Sequence, residues 1–200
     1  MARRIACVVE GHGDVEAVPV VVRRIGSRSH PNVVLQVSVP VRQPKSRLIK
    51  PGELERAVEL AARRIGRIGA VLVVIDSDDD CPAQLGPTLL RRASGAVHGV
   101  PIAVAIAKRE MEAWFIASVE SLAGLVGLPN DLVAPAEPEN IRGAKEWLTQ
   151  RMAGNRSYSP TLDQPVLARE FDLDRALGAD SFDKFRRVVE WLIEQSHDAG

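Results

Sequence analysis

Two short stretches of this chain place acids where an apolar run stops. The first is Glu10-Gly11-His12-Gly13-Asp14, after residues 5–9, and the second is Asp76-Ser77-Asp78-Asp79-Asp80, after residues 70–75. Carboxylates from separate stretches that meet in one place need an answering charge. Two of them about 4 Å apart repel by about 4 kcal/mol at an effective dielectric of about 20. Either a proton is held, raising a pKa, or a cation is bound. Glu10, Asp14, Asp76 and Asp78 offer only oxygen ligands, which suits Mg²⁺, Mn²⁺ or Ca²⁺ rather than zinc. Glu10, Asp76 and Asp78 are the candidates for a catalytic role. Gly11 and Gly13 would let backbone or phosphate come close and free the turn to take unusual dihedrals. His12 has a place near a leaving group, or stands exposed in the loop. Asp79 and Asp80 read as helix-start and solvent residues.

Basic residues that could meet a phosphate are fewer. Arg42, Lys45, Arg47 and Lys50 fall within residues 42–50, which contain no acid. Lys108 closes a later apolar run and either contacts a phosphate or snorkels to water. The pairs Arg23–Arg24, Arg63–Arg64 and Arg91–Arg92 read as solvated helix faces. Cys7 and Cys81 have no histidines near them in sequence and make no zinc pattern. Cys7 reads as a small core residue, and Cys81 has no base to make it a nucleophile.

The elements that must position these acids alternate. Residues 5–9 and 70–75 are apolar at every position, as strands covered on both faces are. Residues 33–39 and 100–107 read as two further strands. Helical spacing follows each, with Val15, Val18, Val21, Val22 and Ile25 as one buried stripe and Leu54, Val58, Ala61, Ala62 and Ile65 as another. Pro51 suits a first helical turn, and Glu53 and Glu55 complement its positive end. A third helix covers about residues 84–93 and another about 110–117. Alternation of this kind predicts an α/β fold with a mostly parallel sheet and right-handed crossovers. If the first and third strands are neighbours, Glu10 and Asp76 share the crevice at the strand carboxyl ends. Period-2 alternation would then put Asp76 and Asp78 on one side and Ser77 on the other, while Asp14 leans back toward Glu10.

Past residue 118 the alternation stops. Short helices are expected at 118–126, 140–152, 164–177 and 181–195, with Trp147, Phe171, Phe182, Phe185 and Trp191 as their core. This divides the chain into an α/β part, residues 1–117, and a helical extension, residues 118–200, packed on it. Arg151, Arg156 and Tyr158 could touch a substrate.

The totals exclude several classes. The chain has 200 residues, 46% hydrophobic and 26% charged, which is ordinary for a globular protein. Net charge is zero, so the overall basic footprint of many nucleic-acid binders is missing, and aromatics are only 4%. No apolar run approaches the roughly eighteen residues a membrane helix needs, and residues 5–9 are too short for a signal-peptide core. A cytoplasmic location without membrane contact is expected.

The motif Val8-Val9-Glu10-Gly11-His12-Gly13-Asp14 resembles the glutamate-glycine signature of the overcoming-lysogenization-defect (OLD) nucleases, with its second acid four residues on. Val73-Val74-Ile75-Asp76-Ser77-Asp78 resembles the aspartate pair of Toprim domains, the fold shared with topoisomerases and bacterial primases. Over nearly its full length the chain is also similar to the bacterial domain-of-unknown-function family DUF4276. That likeness rests on Glu112-Ala113-Trp114-Phe115-Ile116-Ala117, Tyr158-Ser159-Pro160 and Ser181-Phe182. The resemblance implies a Toprim-like core and a Mg²⁺ or Mn²⁺ site built from Glu10, Asp14, Asp76 and Asp78. Glu112 would supply a further acid, with Glu110 competing for that place. Two positions apart on a helix the two point to nearly opposite sides, so only one should face the metal.

Function is then expected to be metal-dependent phosphodiester cleavage on DNA or RNA, in a bacterial defence or DNA-processing setting. Gly11, His12, Gly13, Arg42, Lys45, Arg47 and Lys108 would contact substrate. Resemblance to OLD-type systems adds an ATPase as partner, and a homodimer is left open. The competing expectation is a non-catalytic module that keeps the fold and a cation as a subunit of a larger assembly. A haloacid-dehalogenase-type phosphatase also opens its site with strand-Asp-x-Asp, but no Thr or Gly follows Asp78 as that chemistry expects.

Overall fold

The computed structural model describes residues 2–196. Strand β1 (Ala2–Val9) is fully buried from Ile5 onward and leads into helix α1 (Asp14–Ser29). Strands β2 (Val34–Val37) and β3 (Val41–Arg42) follow, then helices α2 (Lys45–Leu48) and α3 (Glu53–Arg64). Strand β4 (Ala70–Asp76), helix α4 (Pro82–Ala96), strand β5 (Ile102–Ala107) and helix α5 (Glu112–Ala117) complete the alternating part. Helices α6 (Ala144–Arg151), α7 (Gln164–Glu170) and α8 (Asp180–Gln195) come last. The fold is α/β, with a parallel central sheet flanked by helices and a long C-terminal helix.

All strand pairs are parallel, in the order β2-β1-β4-β5. The run expected as one strand over residues 33–39 is split. β2 pairs with Ala2–Ile5, and β3 then pairs with Val8 and Val9 on the same edge of β1. Pro40 lies in the gap, where its missing N–H makes a continuous ladder impossible. That edge is closed by arginines: Arg23 donates to the Val37 carbonyl at 3.1 Å, and Arg64 to those of Val39 and Pro40 at 2.7 and 3.1 Å. Such capping occupies three of the carbonyls that would otherwise invite strand addition.

Period-2 alternation sorts the strand residues onto two layers. Ile5, Cys7, Val9, Leu72, Val74, Ala103 and Ala105 face α1 and α8, whereas Ala6, Val8, Val71, Val73, Ile75 and Val104 face α3 and α4. α3 carries Glu53 and Glu55 in its first turn and Arg63 and Arg64 in its last, matching the helix dipole, and buries Leu54, Val58 and Ala61.

Helix α8 lies on the sheet itself, against β4 and β5, and the segment after Ala117 shares one hydrophobic cluster with α1 and α5. Trp114, Phe115, Phe171, Phe182 and Phe185 pack edge-on, tilted or, for Phe182 on Phe185, stacked, with centroids 4.9–6.3 Å apart. Trp191 does not join them and is 44% exposed. Phe182, Phe185, Val189 and Ile193 keep helical spacing on the buried face, and residue 191 sits two positions from Val189, most of half a turn away. Trp147 is half-buried, with the Arg151 guanidinium 3.6 Å from its ring centre.

The helices expected at 118–126, 140–152 and 164–177 are shorter. Residues 119–122 and 125–127 form 3₁₀ turns, α6 begins only after Gly143, and α7 stops at Glu170. No helix among the described residues is long and apolar enough to cross a membrane.

Candidate functional site

The sheet order puts β1 beside β4, while the connection from β1 runs outward to β2 on one side and β4 continues to β5 on the other. The carboxyl ends of β1 and β4 therefore flank the point where the winding reverses, where open α/β sheets hold ligands. There a cavity of ≈ 320 Å³ is lined by Glu10, Asp14, Asp76, Glu112, Lys145 and Gln164, with Gly11–Gly13 and residues 160–161 completing the wall. A larger groove of ≈ 770 Å³ near Arg24 and Arg28 lies elsewhere, and its charges are spent on one another, as in Arg28–Asp174 at 2.6 Å.

Asp14 is the first residue of α1 and is held from two sides. Its Oδ2 accepts from the Gly11 N–H at 2.7 Å, and its Oδ1 accepts from Gln164 Nε2 at 2.7 Å. Gln164 is buried at the start of α7, so the C-terminal segment reaches directly into the site. Gly13 is what admits it. A Cβ there would lie 2.4 Å from the Pro160 carbonyl oxygen and 2.0 Å from Gln164 Oε1. Neither Gly11 nor Gly13 has a positive φ, so the expected unusual dihedrals do not occur. Close approach by the chain's own backbone is the reason for Gly13.

Asp76 ends β4, and its Oδ1 accepts from the Met111 N–H at 2.9 Å. Burial, then the nearby charge of Glu112, push its carboxyl well above the usual carboxylate range, with Asp14 and Glu10 adding and Lys145 opposing. Burial also raises Glu10, and the charge of Asp78 adds to it. Glu10 Oε2 is buried without a hydrogen-bond partner. Glu112, 2% exposed in its side chain, is raised by burial and held back by Lys145. Tyr158 donates to Glu112 Oε1 at 3.2 Å, and burial beside that acid keeps its phenol far above its ordinary pKa.

Lys145, at the start of α6, answers these acids. Its Nζ lies 3.1 Å from Glu112 Oε2, 2.9 Å from Glu110 Oε2 and 3.9 Å from Asp76 Oδ2. Burial alone would lower its pKa, but Glu112, Asp76 and Glu110 outweigh this and hold the ammonium charged. Both Glu110 and Glu112 thus face the same cation. Of the two, only Glu112 lines the cavity. α5 begins at Glu112, and Arg109 at φ 62° turns the chain just before Glu110.

Asp78 does not join Asp76 in the cavity. β4 ends at Asp76, and Asp78 takes a left-handed conformation (φ 50°), which ends the period-2 alternation. Lys45 draws it away: Nζ meets Asp78 Oδ2 at 2.8 Å, Asp80 Oδ2 at 3.1 Å and the Ser77 carbonyl at 2.6 Å. Asp78 is still near enough to raise Glu10. Of the basic residues expected to meet phosphate, Lys45 is buried in this role and Lys108 donates to Asn140 at 2.8 Å, while Arg42 and Arg47 are exposed. Cys7 is buried, its thiol pushed up to about 12 by burial, and Cys81 is exposed.

Among the described residues no three His, Cys, Asp or Glu side chains converge closely enough to share one ion. Lys145 stands between Asp76 and the two glutamates, and Asp14 is committed to Gly11 and Gln164. The donor set nevertheless suits a hard divalent cation, being all oxygen with Glu10 Oε2 unsatisfied.

A family model described as a domain of unknown function (DUF4276) matches residues 9–190. The chain belongs to the DUF4276 family. The matched span of this DUF4276 chain contains every residue that lines the cavity, from Glu10 to Gln164. No curated protein and no solved structure matches the chain. Lys145 and Gln164 escaped the sequence reading because each looks like an ordinary helix-start residue. Only burial and distance mark them.

Proposed function

We propose that this protein is a divalent-metal-dependent, nuclease-like phosphodiesterase of Toprim type that acts on DNA or RNA in the cytoplasm. The reading is carried by the gathering of Glu10, Asp14, Asp76 and Glu112 around one cavity at the switch point of a parallel sheet. Glu10, Asp14 and Asp76 would have to draw closer than they stand here to hold Mg²⁺ or Mn²⁺ together, with Glu112 shared between the ion and Lys145 and with Asp78 at the rim. A bound ion would make water acidic enough to serve as nucleophile and would polarise the phosphate. The chain's own groups do the rest. Glu10 has a buried oxygen without a hydrogen-bond partner, so a carboxylate oxygen left free by the ion could take a proton from an attacking water. Lys145 offers a charged donor to a phosphoryl oxygen, and Tyr158 holds Glu112 in place. His12, on the cavity wall, is available to the leaving group.

The test is cleavage of labelled single-stranded DNA, RNA and plasmid by purified protein with Mn²⁺ or Mg²⁺. Activity that vanishes in Asp76→Asn is the expected outcome, and activity that survives it removes this reading.

A second reading has one observation in its favour: Lys145 already balances Asp76, Glu110 and Glu112. On that reading the protein is a non-catalytic module, the subunit of an assembly with an ATPase or of a homodimer. Metal uptake without cleavage, alone and with an ATPase encoded beside it, is its signature.

A further inference from the structure

Four non-glycine residues among those described have a left-handed backbone, and two of them are bonded neighbours beside the cavity. Asp78 donates its N–H to the Arg109 carbonyl at 3.0 Å, and Arg109 donates its own to Ser77 Oγ at 2.8 Å. At φ 62° glycine or asparagine would sit with less strain than arginine. Strain of this kind persists where the surrounding structure holds it, here through those two bonds, and it clusters at functional sites. The guanidinium has little to do within the chain. Its Nε is buried without a partner, and its Nη1 reaches only Asp79, at 3.4 Å. Asp79 is 72% exposed in its side chain and also meets Arg142, itself 73% exposed, at 2.8 Å. Arg109, Arg142, Asp78, Asp79 and Glu110 line a cavity of ≈ 180 Å³. Glu110 and its partner Lys145 form the wall toward the carboxylate site.

We propose that Arg109 and Arg142 form a phosphate-binding subsite flanking the carboxylate cavity, with the Asp79 carboxylate occupying the oxyanion position until a substrate phosphate displaces it. Two guanidinium groups each reach the one oxygen Asp79 Oδ1 through a single nitrogen, and a phosphate oxygen could take its place and draw in their remaining N–H donors. The substrate class, a nucleic-acid strand whose neighbouring phosphate is gripped here, rests on the nuclease-like reading above. Lys45 pairs with Asp78, which lines the same cavity, at 2.8 Å, so that of the two aspartates only Asp79 meets the arginines by its side chain.

Fluorescence anisotropy with a labelled single-stranded oligonucleotide, in EDTA so that nothing is cleaved, tests this. Arg142→Gln and Arg109→Gly are each expected to weaken binding about tenfold and to flatten its salt dependence. Asp79→Asn is expected to tighten binding several-fold, because it frees both guanidiniums. Glycine suits the backbone at position 109, so Arg109→Gly should melt no lower than the native protein, which separates lost binding from lost fold. Native affinity in both arginine variants, or weaker binding by Asp79→Asn, overturns the proposal. So does native protein that fails to bind the oligonucleotide, or holds it no tighter than deoxyadenosine monophosphate. Cleavage that survives Asp76→Asn sinks the nuclease reading without touching the subsite.

Discussion

At the scale of single residues the site is a problem in charge. Asp76, Glu112 and Glu10 all hold protons more tightly than free carboxylates do, because burial and one another's charge oppose ionisation. The sign of the pH effect follows. Groups raised in the folded state contribute stability that is complete below about pH 4 and lost as pH rises through their folded pKa values. Without divalent ions, Asp76→Asn should therefore melt above the native protein near pH 8 and close to it near pH 5, a difference readable by thermal scans in EDTA. Its size should stay at about 1–2 kcal/mol, since the Asp76 side chain keeps 21% of its surface open to the cavity. Lys145→Met should act oppositely, costing about 1–3 kcal/mol at neutral pH because the acids lose their counter-ion. The penalty should shrink near pH 5, and Mg²⁺ should restore part of it. A melting curve indifferent to both pH and Mg²⁺ would show that Lys145 does not serve as counter-ion.

At the scale of elements, the turn after β1 and the start of α7 form one device. Gly13 allows the Pro160 carbonyl to close in, which lets Gln164 reach Asp14. Gly13→Ala should force these segments apart and cost about 1–3 kcal/mol, as overpacking generally does. Hydrogen exchange should quicken first at the N–H groups of Gly11 and of α7, well before β4 is affected. Gln164→Leu keeps the volume but leaves Asp14 Oδ1 without its donor, and weaker Mg²⁺ binding by calorimetry is the expected result if Asp14 is a ligand. The strand ends belong to this scale as well. Asp78 and Arg109 leave β4 and β5 in left-handed turns that aim their side chains away from the cavity holding Asp76.

At the scale of the whole molecule, α8 covers the face of β4 and β5 that α1 does not reach. Phe182 is fully buried among Trp114, Phe171 and Phe185. Phe182→Ala should cost about 3–5 kcal/mol, and denaturant unfolding should stay a single transition with its midpoint lowered. A separate early transition for the C-terminal helices would show instead that they fold as a unit of their own.

Much of the scaffold was legible in the chain. The unbroken apolar runs at residues 5–9 and 70–75 suggested strands covered on both faces, and with those strands as neighbours the acids after them meet at the carboxyl edge of a parallel sheet. Local pattern reaches that far because strand periodicity and helix spacing are properties of neighbouring residues. Other features depended on residues distant in sequence. Asp78 turns to Lys45, Glu110 joins Glu112 at Lys145, and Gln164 crosses to Asp14 over 150 positions. Which cation answers a buried acid is decided by distance and burial in the folded chain. An isolated lysine or glutamine in a helix carries no sign of that task.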